Sequence, residues 1–245
     1  MKATYFGSSG WLIEFENFRV LIDPWLTGNL SFPPGPWLIE GTLSNEIEMP
    51  KNLDLLLLTQ GLADHAHPPT LKQLPKSIPV LGSPSAAKVA KQLGFENVEQ
   101  IKPGTKKQIK QLNIEATAGA PVPNLENGYV ISHIHGSLYV EPHGFLDKEI
   151  LPRKLDAVIT PVVDVTLPIF GAFLKGNQVL PELIKRFQPL TILASTTGGD
   201  AKFTGLLGKM MKTAGSAQEA SVMLEKDSTL IEPIAGQTYT LPSYQ

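Results

Sequence analysis

Asp64 and His65 follow a strand-length apolar run, Leu55-Leu56-Leu57-Leu58, in a polar loop that also carries Gln60 and His67. The adjacent pair offers one carboxylate oxygen and one imidazole nitrogen, donors suited to zinc, manganese or iron. A loop at the C-terminal end of a buried strand is where α/β proteins place ligands for metals and substrates. The other histidines are His67, His133, His135 and His143. His67 precedes Pro68-Pro69 and reads as a surface or supporting group. His133 and His135 flank Ile134 in a strand and share a face at period two, but their nearness to the Gly136-Ser137 turn favours a solvated face over zinc chelation. Glu141, Asp164, Thr196 and Thr197 are candidates for added oxygen ligands or a general base. Asp164 interrupts Val162-Val163-Asp164-Val165, where a buried carboxylate needs a partner; capping a strand end is the plainer role.

Other chemistries lack their residues. There is no cysteine, which removes thiolate nucleophiles, thiolate ligands and disulfides together. No serine sits in a nucleophile elbow and no glycine-rich phosphate loop appears. A net charge of −2, without an Arg/Lys cluster, gives no reason to expect nucleic acid. The first residues are interrupted by Glu14, Glu16 and Arg19 and do not read as a signal peptide. The longest apolar region, Ala157 to Leu174, contains Pro161, Asp164 and Pro168 and falls short of a membrane span. A cytoplasmic protein with a small-molecule ligand or substrate is expected, without nucleic-acid or membrane partners; oligomeric state is left open.

Positioning that loop requires a sizeable core, and 245 residues with 42% hydrophobic content can bury one as a single domain over 1–245. Tyr5-Phe6, Trp11 to Phe15 and Phe18 to Ile22 read as strands separated by turn residues. Leu53 to Leu58, Pro79 to Leu81 and Ile114 to Ala116 supply more. Ser83-Pro84 opens a helix that Gly94 ends, Val179 to Phe187 forms a second, and Ser216-Ala217-Gln218-Glu219 has the spacing of a capping box. Thr27 to Pro50, centred on Phe32-Pro33-Pro34-Gly35-Pro36-Trp37, reads as one long loop because prolines interrupt ladders. Phe32 and Trp37 are expected to stand over the cleft near His65 as an apolar, substrate-binding wall.

The run Thr59 to His65 resembles the T-H-x-H-x-D-H signature of the metallo-β-lactamase superfamily, with Thr59, Asp64 and His65 matching and Gln60 and Leu62 in the first two histidine positions. Met1 to Gly28, including Leu21-Ile22-Asp23-Pro24-Trp25, looks like the opening hairpin of its ascorbate-phosphate-lactonase-like branch, with Ser8 where a histidine is common. Asn127 to Ile131 and Leu138 to Gly144 look like the strands leading to the family's G-D-T turn, which aligns His143 with the metal-bridging aspartate. The family's third histidine has no counterpart in Thr117 to Pro123, and Thr196 or a neighbour takes the place of the last. The resemblance implies an α+β fold, an αββα sandwich of two mixed sheets with outer helices.

It also implies a dinuclear site that has lost ligands. Leucine cannot coordinate and an amide oxygen substitutes poorly for imidazole. Two readings follow. In one, Asp64, His65 and His143 hold a single zinc or manganese ion, Asp64 and His65 carry catalysis, Trp37, Gln60, Asp164 and Thr196 meet the substrate, and an ester, lactone or phosphodiester is hydrolysed. In the other, the fold is kept without metal as a binding or scaffold protein. Gln60 and Leu62 are then expected to face the space of the missing ion, with Leu62 closing it.

Overall fold

The computed structural model describes residues 1–44, 47–121, 124–167, 171–195, 201–224 and 226–244. Two seven-stranded mixed sheets lie face to face. The first runs Thr238–Thr240, Lys2–Gly7, Gly10–Phe15, Phe18–Ile22, Leu55–Leu58, Val80–Gly82 and Val98–Gln100 in spatial order. The second runs Thr229–Ile231, Thr191–Ala194, Ala157–Thr160, Gly136–Val140, Asn127–His133, Leu112–Ala118 and Lys106–Ile109. Each combines an antiparallel part with a parallel part.

Side-chain alternation explains the uninterrupted leucines. Leu55 and Leu57 point between the sheets, into a core with Trp11, Ile22, Tyr129 and Ile159. Leu56 and Leu58 point outward, beneath Leu71, Ala86 and Ala90 of the helices Pro68–Gln73 and Pro84–Gln92. A strand covered on both faces needs apolar residues at every position. On the second sheet Val130, Tyr139 and Val158 meet Leu183 and Phe187 of the helix Gly176–Phe187, completing the αββα sandwich. Among the described residues no helix is long and apolar enough to cross a membrane.

Helix boundaries follow their caps. The Ser83 hydroxyl accepts from the Ala86 N–H and Pro84 occupies the first turn. Ser216 accepts from the Glu219 N–H at the start of Ala217–Val222. The helix expected from Val179 begins three residues earlier, at Gly176. There the Asp164 carboxylate accepts from Gln178 through its backbone N–H at 3.2 Å and its side-chain amide at 3.0 Å. The segment expected to be one loop from Thr27 to Pro50 is not wholly irregular. Leu30–Ser31 and Glu40–Leu43 pair, and Ala201–Thr204 joins them as a three-stranded sheet. Pro33, Pro34 and Pro36 fall in the connection, where they break no ladder. A second small sheet is made by Gly171–Lys175, Asp164–Leu167 and Lys212–Ala214.

Candidate metal centre

The strands Phe18–Ile22, Leu55–Leu58 and Val80–Gly82 run parallel, so the chain after Leu58 leaves the sheet at its C-terminal edge. Two residues of the opposite sheet hold it there. The Tyr129 hydroxyl donates to the Leu58 carbonyl at 2.8 Å, and the Asn127 N–H to the Thr59 carbonyl at 3.2 Å. Gly61 then passes so close to Ser85 that a Cβ would lie 2.7 Å from the Ser85 backbone. The second half of the site follows Gly136–Val140. The Glu141 carboxylate accepts from the N–H groups of His143 at 3.1 Å and Phe145 at 2.6 Å, closing the turn on itself. The Lys175 N–H donates to the His143 carbonyl at 2.9 Å.

These two edges bring Asp64, His65 and His143 together, each with one donor atom within 4.8 Å of the others. The His65 and His143 rings lie 5.0 Å apart. His65 Nδ1 contacts Asp23 Oδ2 at 2.7 Å, while Nε2 faces Asp64 Oδ2 at 3.1 Å. Asp23 also accepts from the Thr59 N–H at 2.8 Å and from its hydroxyl. Burial opposes a charge on His65, but Asp64 and Asp23 outweigh it and push the imidazole up to about 10. Burial and the neighbouring His65 push His143 down to about 3, so its ring is neutral. Burial raises the Asp64 carboxyl, yet His65 and His143 together hold it below its usual value. Burial carries Glu141 up to about 7 against the N–H groups it accepts.

The donor set suits one cation. Asp64 Oδ1 and Gln60 Oε1 are buried without a hydrogen-bond partner among the described residues, while His65 Nε2 has Asp64 Oδ2 beside it at 3.1 Å. Such orphaned groups cost about 1–3 kcal/mol each unless something engages them. A carboxylate on the far ring nitrogen of a ligand histidine is the usual way of aiming the near one at a metal, and Asp23 stands in that position. Gln60 places its amide nitrogen 3.2 Å from His143 Nδ1 and 3.3 Å from Nε2, against the ring that two other donors approach.

Other expected residues lie elsewhere. Trp37 is 63% exposed and lines no part of the cavity beside Asp64 and His143, whereas Phe32 and Ile39 do. Its ring packs against Gly35 instead. Asp164 accepts from Gln178 in the first turn of a helix and is not among the residues lining that cavity. Leu62 does not close the site; it lines a separate hollow with Ser85 and Val89. Thr196 and Thr197 lie outside the described residues. His67 is buried, not superficial, with its ring against the Thr70 hydroxyl at 3.0 Å and the Asn29 carbonyl at 3.3 Å. His133 and His135 sit at the far turn, where His135 pairs with Glu16 at 2.6 Å and His133 with Gln111 at 3.2 Å. Reading the residues in order misses Asp23, whose signal is an acid directly after a buried apolar strand and before proline.

A sequence profile described as the beta-lactamase superfamily domain matches residues 2–195. A Methanopyrus kandleri protein named a metal-dependent hydrolase is 25% identical over 205 residues, covering 77% of this chain and 80% of its own. A Paracoccus denitrificans protein of the same name is 35% identical over 82 residues, 34% of this chain and 32% of its own. Among solved structures, a possible metal-dependent hydrolase from Veillonella parvula superposes with a TM-score of 0.69 at 16% identity, covering 98% of this chain and 99% of its own. A metallo hydrolase from Ignicoccus hospitalis gives 0.65 at 16% identity, covering 100% and 99%. These structures share the fold. With a profile matched over most of its length and the sandwich observed in full, the chain belongs to the metallo-β-lactamase superfamily.

Proposed function

We propose that this chain is a hydrolase that holds one divalent cation, zinc or manganese, through Asp64, His65 and His143, and cleaves an ester, lactone or phosphodiester. The observation that carries the reading is the convergence of the three donors, with Asp64 Oδ1 buried and without a hydrogen-bond partner among the described residues. When bound, such an ion lowers the pKa of water toward neutrality and polarises the scissile group. The protein's part is orientation. Asp23 keeps Nδ1 of His65 occupied so that Nε2 faces the cluster. Glu141 fixes the turn that presents His143. Asp64 would hold the ion through Oδ1, since its Oδ2 is turned to His65 Nε2.

A binding protein without metal is the second reading, favoured by Gln60, whose amide contacts the His143 ring where a ligand histidine would stand in the family signature. Zinc titration of protein purified without a histidine tag separates the two. The hydrolase reading expects one equivalent per chain, lost in Asp64→Ala and kept in His133→Ala. Cleavage of an activated ester or phosphodiester should track occupancy across these variants. Wild-type protein that binds no zinc or manganese sinks the hydrolase reading.

A further inference from the structure

A cavity of about 430 Å³ opens beside Asp64 and His143. Its wall is built mainly from Val163, Val165, Leu174, Phe203 and Phe32. Strand alternation keeps charge out of it. Met211 and Thr213 face the cavity while Lys212 between them does not; Ala201 and Phe203 face it while Lys202 does not. Among the described residues the lining holds no lysine or arginine, and its carboxylates are Asp64 and Glu232.

We infer that the substrate is an uncharged carbonyl compound, an ester or lactone, with an apolar body seated among Val163, Val165 and Phe203, and that phosphodiesters are excluded. This rests on the hydrolytic reading above. Two features argue against phosphorus. A phosphodiester brings a fixed negative charge, and among the described residues this wall offers no guanidinium or ammonium group to receive it. Paired ions about 3.5–4 Å apart are what clamp the attacking and leaving oxygens at phosphorus, and among the described residues Asp64, His65 and His143 form the one cluster of three or more possible ligands. A neutral carbonyl needs one polarising centre, and its apolar remainder gains by leaving water. In the step, the oxygen of water bonds to the acyl carbon, the acyl C–O bond breaks, and the departing alkoxide takes up a proton from that water.

The test uses zinc- or manganese-loaded protein with p-nitrophenyl acetate, butyrate and hexanoate, and with bis-p-nitrophenyl phosphate. It also follows the fluorescence of the uncharged probe N-phenyl-1-naphthylamine, which needs no turnover. Each methylene should raise kcat/KM about fourfold until the cavity is full, and the diester should be the slowest substrate. Val165→Lys should weaken probe binding about tenfold or more by placing a charge in the apolar wall. Val165→Leu, which keeps the wall apolar, should bind the probe as wild type does. A diester cleaved faster than the esters, or rates flat with chain length, overturns the inference while hydrolysis stands. No hydrolysis of any compound, with probe binding lost only in Val165→Lys, supports the apolar cavity and sinks the hydrolytic reading instead.

Discussion

His65 stands between two carboxylates, and its two ring nitrogens are used differently. Nδ1 is held by Asp23, itself tied to the Thr59 hydroxyl and N–H, so the ring cannot turn. Nε2 is left for the cluster shared with Asp64 and His143. Asp23→Asn keeps the shape but removes the charge and can present a donor to Nδ1. Zinc affinity, read by competition with a chelating dye, should fall about 10–100-fold, the usual effect of losing such an outer partner. An unchanged affinity would mean that Asp23 serves only the folding of the loop. Asp64 and His65 are neighbours in the chain, so their pairing is visible in the sequence. Asp23 lies 42 positions away from His65, and no spacing rule connects them. His143 enters only through the likeness of its turn to a known one.

Among the elements, the turn from Glu141 to Gly144 depends on its glycine. Gly144 has φ +72°, and a Cβ there would lie 2.5 Å from the Gly176 backbone nitrogen. Gly144→Ala should cost roughly 1–2 kcal/mol for the left-handed backbone alone, and more for the clash. Urea denaturation should show that loss, and zinc affinity should fall with it because His143 moves. A second element-scale test concerns the start of the helix Pro84–Gln92. There the buried Glu126 accepts from the Ser83 hydroxyl at 2.6 Å and the Ser85 hydroxyl at 2.9 Å. Burial raises its carboxyl above 4.5 although both serines oppose the shift. In the window above 4.5 the folded state therefore binds more protons than the unfolded state, so this group costs stability as pH rises through it. Glu126→Gln should lack that loss, and its melting temperature relative to wild type should climb between pH 4.5 and neutrality. A constant difference across that range would contradict the raised value. The capped helices were legible because Ser83-Pro84 and Ser216 act locally. Leu30–Ser31 and Glu40–Leu43 were not, because their partner strand begins at Ala201, far along the chain.

At the scale of the whole molecule, the candidate ligands come from opposite halves of the sandwich. Asp64 and His65 follow the strand Leu55–Leu58 of one sheet, and His143 follows Gly136–Val140 of the other. The sandwich itself was legible through the resemblance of its segments to a known family, an architecture with which the interleaved strands and helices agree. Where two loops from different sheets meet depends on packing that no local pattern encodes. An ion held by all three residues would tie the sheets together at one edge, and unfolding would have to break that tie. Zinc or manganese at a hundred times its dissociation constant should therefore stabilise the fold by about 2.7 kcal/mol. For a domain of this size that corresponds to a rise in melting temperature of roughly 5–10 °C. His143→Ala should abolish the rise as fully as Asp64→Ala does, because removing either half of the tie leaves the sheets unconnected. His133→Ala, at the far turn, should keep it. If His143→Ala retained the full rise, the ion would be held by one loop alone, and the bridge between the sheets would not exist.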